Sequence, residues 1–142
     1  MTGRLPSPVP DVCVRVLMNI GSCGPYAHIV ARFEPPCPGG GFELLSVVPE
    51  KRLPAEFLPA LRSGLLEGLD GVAAAVLVTD GSFHEVDSSE YGYRIAGRQA
   101  ARAALTAVGL LPPEEADRLR WATWPGRRAS RPPGKRSRPA GF

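Results

Sequence analysis

Residues 80–90, DGSFHEVDSSE, are the most informative run in this sequence. They follow residues 72–79, VAAAVLVT, a continuous apolar run with the length of an interior strand. The end of the run has the form of a capping box, in which Asp87 accepts hydrogen bonds from free backbone amides and Glu90 reaches back to the cap. The run therefore predicts a strand, a polar loop and a helix that starts near Ser88.

Apolar residues repeat with helical spacing on both sides of this run. Downstream, the predicted helix has an apolar stripe rich in alanine, from Tyr91 to Val108. Upstream, a first helix is predicted from Phe57, Leu58, Leu61, Leu65 and Leu66. Pro54 fits a short leading turn and Pro59 the first helical position, whereas Gly68 and Gly71 are expected to end this helix.

Three further strands are predicted before the first helix. They are Val12 to Met18, Ala27 to Glu34 and Phe42 to Val48, separated by turn-rich segments at 19–25 and 35–41. The predicted order is β-β-β-α-β-α. This order indicates an α+β fold, a two-layer sandwich with a mostly antiparallel four-stranded sheet and two helices on one face.

Composition divides the 142 residues into four parts. Residues 1–11 read as a flexible leader, 12–111 as one domain, 112–125 as a C-terminal extension with a short helix near its start, and 126–142 as a disordered basic tail. The tail has six basic side chains and no acidic one, whereas the rest of the chain has 11 basic and 14 acidic side chains. The basic character of the sequence therefore belongs to the tail.

Composition also excludes several classes of protein. No apolar run approaches the roughly 20 residues that a membrane span requires, and the N-terminus lacks the apolar core of a signal peptide. Three cysteines without a C-x-x-C pair favour free thiols in a reducing cytoplasm over a disulfide scaffold or a zinc site. Two histidines without acidic neighbours at ligand spacing predict no metal, and we expect no cofactor.

The run at residues 80–90 resembles the signature loop and helix start of domain IV of elongation factor G, the GTP-driven ribosomal translocase. The similarity covers Val12 to Leu111, 100 residues, and several other segments resemble the same domain in the same order. These segments are Tyr26–Val30, Phe33–Pro35, Gly40–Glu43, Val48–Pro49, Pro54–Ala60, Gly64–Leu65 and Arg94–Ala96.

The resemblance implies a left-handed β-α-β crossover and a domain whose tip reaches the ribosomal decoding centre. Two tip loops would contact the ribosome or its RNA, through Gly21, Ser22, Gly24 and Pro25 in the first loop and Ser82, Phe83, His84, Glu85 and Asp87 in the second. The implied partners are the small ribosomal subunit and ribosomal, transfer and messenger RNA. We do not transfer to His84 the histidine modification known in archaeal and eukaryotic relatives.

The sequence also departs from the family. It contains no G-x-x-x-x-G-K-[ST] phosphate loop, so we expect a stand-alone protein without the GTPase domain. The segment from Glu67 to Val72 is shorter than in the family. Residues 24–27 are similar to the tetracycline ribosomal-protection proteins, which share this domain, and descent from either subgroup stays open.

We expect a non-enzymatic protein. His84, Asp87 and Ser88 have the residue types of a hydrolase triad, but three members within five residues cannot easily form the required relay. In the tail, the six cations suit phosphate neutralisation, although such a tail can also be a mere solubilising extension. These residues are Arg127, Arg128, Arg131, Lys135, Arg136 and Arg138.

Three functions remain open from the sequence. The favoured one is a cytoplasmic ribosome-binding protein that modulates elongation or protects the ribosome. The second is a module that pairs with a separate translational GTPase, which an uncovered apolar patch around Leu110, Leu111, Trp121 and Trp124 would favour. The third is a degenerate paralogue without a ribosomal role, which an unstructured or unexposed loop at residues 82–87 would favour.

Overall fold

The structure is a computed structural model that describes residues 3–17, 26–83 and 89–127. The described residues form two α-helices, seven strands and two short 3₁₀ turns, which span Ala55–Phe57 and Pro113–Arg118. The elements are β1 (Gly3–Arg4), β2 (Val9–Leu17), β3 (Tyr26–Glu34), β4 (Glu43–Ser46), α1 (Leu58–Leu69), β5 (Val72–Ala73), β6 (Ala75–Ser82), α2 (Glu90–Ala107) and β7 (Ala122–Thr123).

The main sheet has five strands in the order β4-β6-β3-β2-β7. Strands β4 and β6 pair in parallel and are connected through α1, and every other pair is antiparallel. The α+β fold with a mostly antiparallel sheet is therefore confirmed. The expected sheet of four strands has a fifth, because β7 pairs with the outer edge of β2.

One face of the sheet is buried under the helices. Val12, Val14 and Val16 of β2 point to this face and are fully buried, as the alternating pattern predicts. On β3 the same face carries Ala27, Ile29, Ala31 and Phe33. The opposite, open face carries polar side chains, among them Arg15 of β2 and His28 of β3, which are register partners.

Helices α1 and α2 approach each other through glycine. A Cβ atom on Gly64 would lie 2.0 Å from the backbone oxygen of Arg94, and one on Gly97 would lie 2.5 Å from that of Leu61. Gly68 makes the same kind of contact with Arg98, so the expectation that it ends α1 is wrong. The helix continues to Leu69 and ends at Asp70, which is left-handed with φ 49°.

Both flanks of the domain pack onto it. In the region expected to be a flexible leader, β1 pairs with β5 and the side chain of Leu5 is fully buried. Strand β2 also begins at Val9, three residues earlier than expected. In the C-terminal extension, Trp124 is 8% exposed, so the flanks add to the core of the domain.

Candidate functional site

The two predicted tip loops leave the same end of the main sheet. The first joins β2 to β3, whose end residues Leu17 and Tyr26 are register partners, and the second follows Ser82, the partner of His28. Most of the predicted contact residues lie outside the described residues: Gly21, Ser22, Gly24, Pro25, His84, Glu85 and Asp87. The structure therefore describes the bases of the two loops, where Ser82 and Phe83 lie.

Ser82 is the centre of a hydrogen-bonded cluster at these loop bases. Its Oγ lies 2.9 Å from the hydroxyl of Tyr26 and 2.9 Å from Nδ1 of His28. Its backbone oxygen accepts a hydrogen bond of 2.6 Å from the hydroxyl of Tyr93, which is on α2. The guanidinium of Arg15 donates to the Tyr26 hydroxyl at 3.3 Å. We call these five residues the Ser82 cluster.

A β-bulge puts Ser82 on the open face of the sheet. Val76 and Val78 point to the helices, and strict alternation would point residue 82 to the same side. The register between β3 and β6 shifts between Val30 and Ala31, where Thr79 is the extra residue. Beyond this shift Gly81 is buried toward the helices, and Ser82 stands beside His28 on the other face.

Phe83 is fixed at the base of the second loop by aromatic contacts. Its ring centroid lies 6.2 Å from that of Phe57, and Phe57 stacks on Tyr93 with centroids 4.6 Å apart. Tyr93 is fully buried. The same tyrosine thus supports Phe83 through the ring of Phe57 and Ser82 through a hydrogen bond.

The helix after the second loop begins slightly later than the capping pattern predicts. Its first residue is Glu90, and the N-cap is Ser89, whose Oγ accepts from the amide of Gly92 at 3.4 Å. The predicted cap residue, Asp87, and the predicted start, Ser88, lie outside the described residues. Ser89 can cap the helix because serine and aspartate have the same acceptor role at this position.

Burial controls the protonation of His28. The side chain is 7% exposed, and this burial lowers its pKa below the ordinary value, with a further lowering from the charge of Arg15. Asp80 raises the pKa of His28, and Arg52 lowers it. The amide of Gly81 donates to Asp80 and is the main reason why the pKa of that carboxyl is lowered, with Arg52 adding to the effect.

The contact between Ser82 and His28 joins the residue types of a nucleophile and a base within a wider hydrogen-bonded network. The Ser82 hydroxyl also contacts Tyr26, and the carboxylate of Asp80 is engaged by Gly81 and by Arg52 at 3.1 Å. Across the parts of the chain that the structure describes, no three His, Cys, Asp or Glu side chains are grouped to hold a metal ion. The arrangement fixes a strand end and two loop bases in place.

Arg127, the first cation of the predicted tail, belongs to the folded extension. Its guanidinium donates to the backbone oxygens of Leu119 and Ala116, each at 3.0 Å, and to that of Ala122. It also lies over the ring of Trp124, 4.9 Å from the centroid. The other predicted contact residues of the tail, Arg128, Arg131, Lys135, Arg136 and Arg138, lie outside the described residues.

The apolar patch whose exposure would favour a partner protein, around Leu110, Leu111, Trp121 and Trp124, is only partly open. Trp124 is buried and Trp121 is half-buried, whereas Leu110 is 48% exposed. Beside them lies a groove of about 610 Å³, whose lining includes Leu111, Pro112 and Trp124. The two tryptophans therefore pack against the core of the domain, and the open apolar surface lies at Leu110 and the groove.

A family model described as "Elongation factor G, domain IV" matches residues 14–108, which include β3, both helices and the Ser82 cluster. The chain belongs to the elongation factor G domain IV family. Domain IV of elongation factor G is a non-catalytic domain, and membership supports a translation-related role. Strand β1, the start of β2 and the extension through Arg127 lie outside the matched residues.

A curated relative and a solved structure agree with this membership. "Elongation factor G 1" from Syntrophomonas wolfei subsp. wolfei (strain DSM 2245B / Goettingen) is 38% identical over 99 residues, and the match covers 64% of this chain and 14% of the relative. The chain thus spans about 14% of that relative's length. A crystal structure from Thermus thermophilus shares the fold with a TM-score of 0.61 and 21% identity, covering 72% of this chain and 17% of that one.

Sequence reasoning missed most of the Ser82 cluster. The sequence points to Ser82 as a contact residue, and the structure adds that His28 of β3 is buried with its Nδ1 in contact with Ser82. Arg15, Tyr26 and Tyr93 were not singled out as site residues. Their convergence depends on strand register and on the bulge at Thr79, and neither is visible as a motif.

Proposed function

We propose that this chain is a non-enzymatic protein of translation that binds the ribosome near the decoding site through its two tip loops. The observation that carries the proposal is the convergence of the loop bases in a domain IV fold. Tyr26 follows the first loop, Ser82 precedes the second, and their side chains are 2.9 Å apart. Both loops therefore start from the same end of the sheet and can enter one binding site.

The chemistry of the predicted loop residues suits RNA. His84 lies within the second loop, and an imidazole can stack on a base or donate to a phosphate oxygen. Gly21, Ser22 and Gly24 in the first loop are small and allow a backbone to approach a sugar-phosphate chain closely. The partners that we propose are the small subunit, its ribosomal RNA, and the transfer and messenger RNA at that site, in the cytoplasm.

The tail strengthens this binding through charge. Five cations follow Arg127, and each phosphate contact adds a sequence-independent, salt-dependent increment of affinity. We leave Arg127 out of the proposed contact set, because its guanidinium already binds three backbone oxygens of the extension. Bound in this way, the protein would modulate elongation or protect the ribosome.

Co-sedimentation with ribosomes and with isolated small subunits tests the proposal, at low and moderate salt. The wild type is compared with His84→Ala and with a chain that ends at Arg127, which keeps the folded extension. We expect both changes to weaken binding, with Lys51→Ala as a control for the loss of an exposed cation elsewhere. No binding of the wild type at low salt would overturn the proposal, and loss with the tail alone would reduce the protein to a general RNA binder.

The half-open groove favours a second function, a module that pairs with a separate translational GTPase. Leu111, Pro112 and Trp124 present apolar surface there, next to the exposed side chain of Leu110. Association of the purified protein with a translational GTPase in the absence of ribosomes, lost in Leu110→Asp and retained in His84→Ala, would support this second function. A degenerate paralogue would show neither kind of binding.

A further inference from the structure

We propose that a small polar pocket between α2 and the C-terminal extension binds a phosphate group. The pocket has a volume of about 100 Å³. Pockets for organic ligands hold about 300–1,000 Å³, so this one has room for a single small group. We call it the Gln99 pocket, and its lining residues are Arg98, Gln99, Arg102, Glu115, Arg118 and Leu119.

The side chain of Gln99 supplies a buried hydrogen-bond donor to this pocket. It is 7% exposed, and its Oε1 accepts from the backbone amide of Trp121 at 3.3 Å. This bond fixes the orientation of the side-chain amide, because only the oxygen can accept. Within residues 3–17, 26–83 and 89–127, Nε2 of Gln99 has no acceptor. A buried donor without an acceptor is costly, so the pocket favours a ligand that brings acceptor oxygens.

Positive charge surrounds this donor. The lining has three arginines and one glutamate, an excess of two positive charges. Glu115 is engaged by Arg102 at 3.1 Å, whereas Arg98 is only 3.9 Å from its nearest carboxylate, that of Glu67. Arg118 is exposed and forms no ion pair in the part of the chain that the structure describes. An anion in the pocket would therefore meet the guanidinium groups of Arg98 and Arg118.

The number and kind of these donors favour phosphate over a carboxylate. A guanidinium binds phosphate through two parallel hydrogen bonds, and its planar fork matches the spacing of the oxygens. A carboxylate has two oxygens, which two arginines would use up, whereas a phosphate group has at least three. The additional oxygen can accept from Nε2 of Gln99, so phosphate can satisfy Gln99, Arg98 and Arg118 together.

The Gln99 pocket depends on the extension. Glu115, Arg118 and Leu119 lie beyond residues 14–108, which the family model matches. The pocket therefore goes beyond the proposed function, which concerns the tip loops and the tail. It rests on that function for only one of two sources of the phosphate group, the RNA backbone. The other source is a free phosphate ion.

Titration of the full chain with inorganic phosphate, followed by NMR, tests the pocket. We expect the side-chain amide signal of Gln99 and the backbone amide signal of Trp121 to shift and saturate. Gln99→Glu keeps an acceptor for Trp121 but replaces the donor with a carboxylate oxygen, so the shift of Trp121 should be lost. Arg118→Gln should weaken phosphate binding about tenfold. Arg120→Gln is the matched control, because Arg120 is exposed in the same extension and lies outside the lining.

Three results of this titration would overturn the pocket. No shift of Gln99 would mean that water and not an anion satisfies its donor. A shift that stays linear throughout would mean a general attraction of anions to the domain. Equal weakening in Arg118→Gln and Arg120→Gln would mean that only the charge of the extension matters. Arg118→Gln keeps the test decisive if Gln99→Glu does not fold, because Arg118 is exposed.

Ribosome co-sedimentation of the full chain identifies the source of the phosphate group. If the RNA backbone supplies it, Arg118→Gln should bind ribosomes about tenfold more weakly than Arg120→Gln, although both keep the tail. Equal binding of the two variants, with the phosphate-induced shift of Gln99 intact, would overturn the RNA source and leave free phosphate. If the wild type does not bind ribosomes, the proposed function fails, and the titration still decides whether the pocket binds phosphate.

Discussion

His28 is a buried titratable side chain within the Ser82 cluster, and its surroundings favour the neutral imidazole. Burial and the nearby guanidinium groups of Arg15 and Arg52 outweigh the carboxylate of Asp80, so its pKa in the folded protein lies below the ordinary value. The folded protein then binds a proton less readily than the unfolded chain does. Stability contributed by His28 is therefore lost as the pH falls through the ordinary histidine pKa.

We predict a steeper loss of stability with acid in the wild type than in His28→Gln. The measurement is urea unfolding at about pH 7.5 and about pH 5.5, a range that spans the titration of an unperturbed histidine. His84→Gln is the matched control, because His84 is the other histidine of the chain and the same substitution there leaves His28 in place. An equal pH dependence in His28→Gln and the wild type would contradict the role of His28.

The crossing of α1 and α2 is the contact between elements most sensitive to a single methyl group. At Gly64 an added Cβ would meet backbone atoms of Arg94, and backbone cannot move aside as a flexible side chain does. The helices would have to separate, which would weaken the packing of Leu61 and Leu65, both fully buried. Around this crossing, Glu67 lies 3.4 Å from Arg94 and 3.9 Å from Arg98, in exposed pairs that add little.

We predict that Gly64→Ala lowers the free energy of unfolding by about 1–3 kcal/mol, although alanine favours a helix over glycine. Urea unfolding measures the change. Ser63→Ala, at an exposed neighbouring position of α1, is the control and should stay within about 0.5 kcal/mol of the wild type. A Gly64→Ala protein as stable as Ser63→Ala would show that the two helices are not in this close contact.

Arg127 cross-links the C-terminal extension through three of its backbone oxygens. We predict that Arg127→Met destabilises the protein by about 1–3 kcal/mol, because three backbone oxygens lose their donor. Arg120→Met is the matched control, since Arg120 is exposed and lies over Trp121 at 4.9 Å from the ring centroid. Thermal unfolding followed by tryptophan fluorescence compares the two variants. Equal melting temperatures would mean that the hydrogen bonds of Arg127 do not stabilise the extension.

The sequence predicts those elements whose apolar pattern has one clear period. The valines of β2 alternate, and the leucines of α1 repeat at three and four residues, so both elements and their buried faces follow directly. Strand β7 has two residues and no period, and it forms because Cys13 and Val14 offer an open edge to Thr123 and Ala122. Leu5 likewise is buried in the core through a tertiary contact that no local sequence pattern predicts.

The part of the candidate site that consists of contiguous residues can be predicted from the sequence. The part that consists of side chains brought together by the fold cannot. Residues 80–90 mark the second loop because the strand, the polar loop and the cap are contiguous. The partners of Ser82 come from β3 and from α2, and one bulge at Thr79 decides which face Ser82 takes. Arg127 lies in the basic segment that composition predicts to be a tail. Its three carbonyl partners nevertheless make it part of the fold.

Over the whole molecule, positive charge is distributed unevenly along the chain. The folded part carries both signs, and several of its arginines are paired, as Arg102 is with Glu115 at 3.1 Å. Beyond Arg127 come five cations and no acid. Attraction to phosphate should therefore depend on the tail, whereas the choice of a site should depend on the loops.

Salt dependence separates these two contributions. We predict that a chain ending at Arg127 keeps its melting temperature but binds ribosomes with a smaller slope of log K against log salt, reduced by about 3.5 to 4.5 if all five cations contact phosphate. Binding is measured between about 50 mM and about 200 mM salt. His84→Ala should instead lower affinity at every salt concentration with the slope unchanged, because it removes a contact without removing a fixed charge. A truncated chain with the wild-type slope would mean that the tail lies away from RNA, and phosphate attraction would then have to come from arginines of the folded domain.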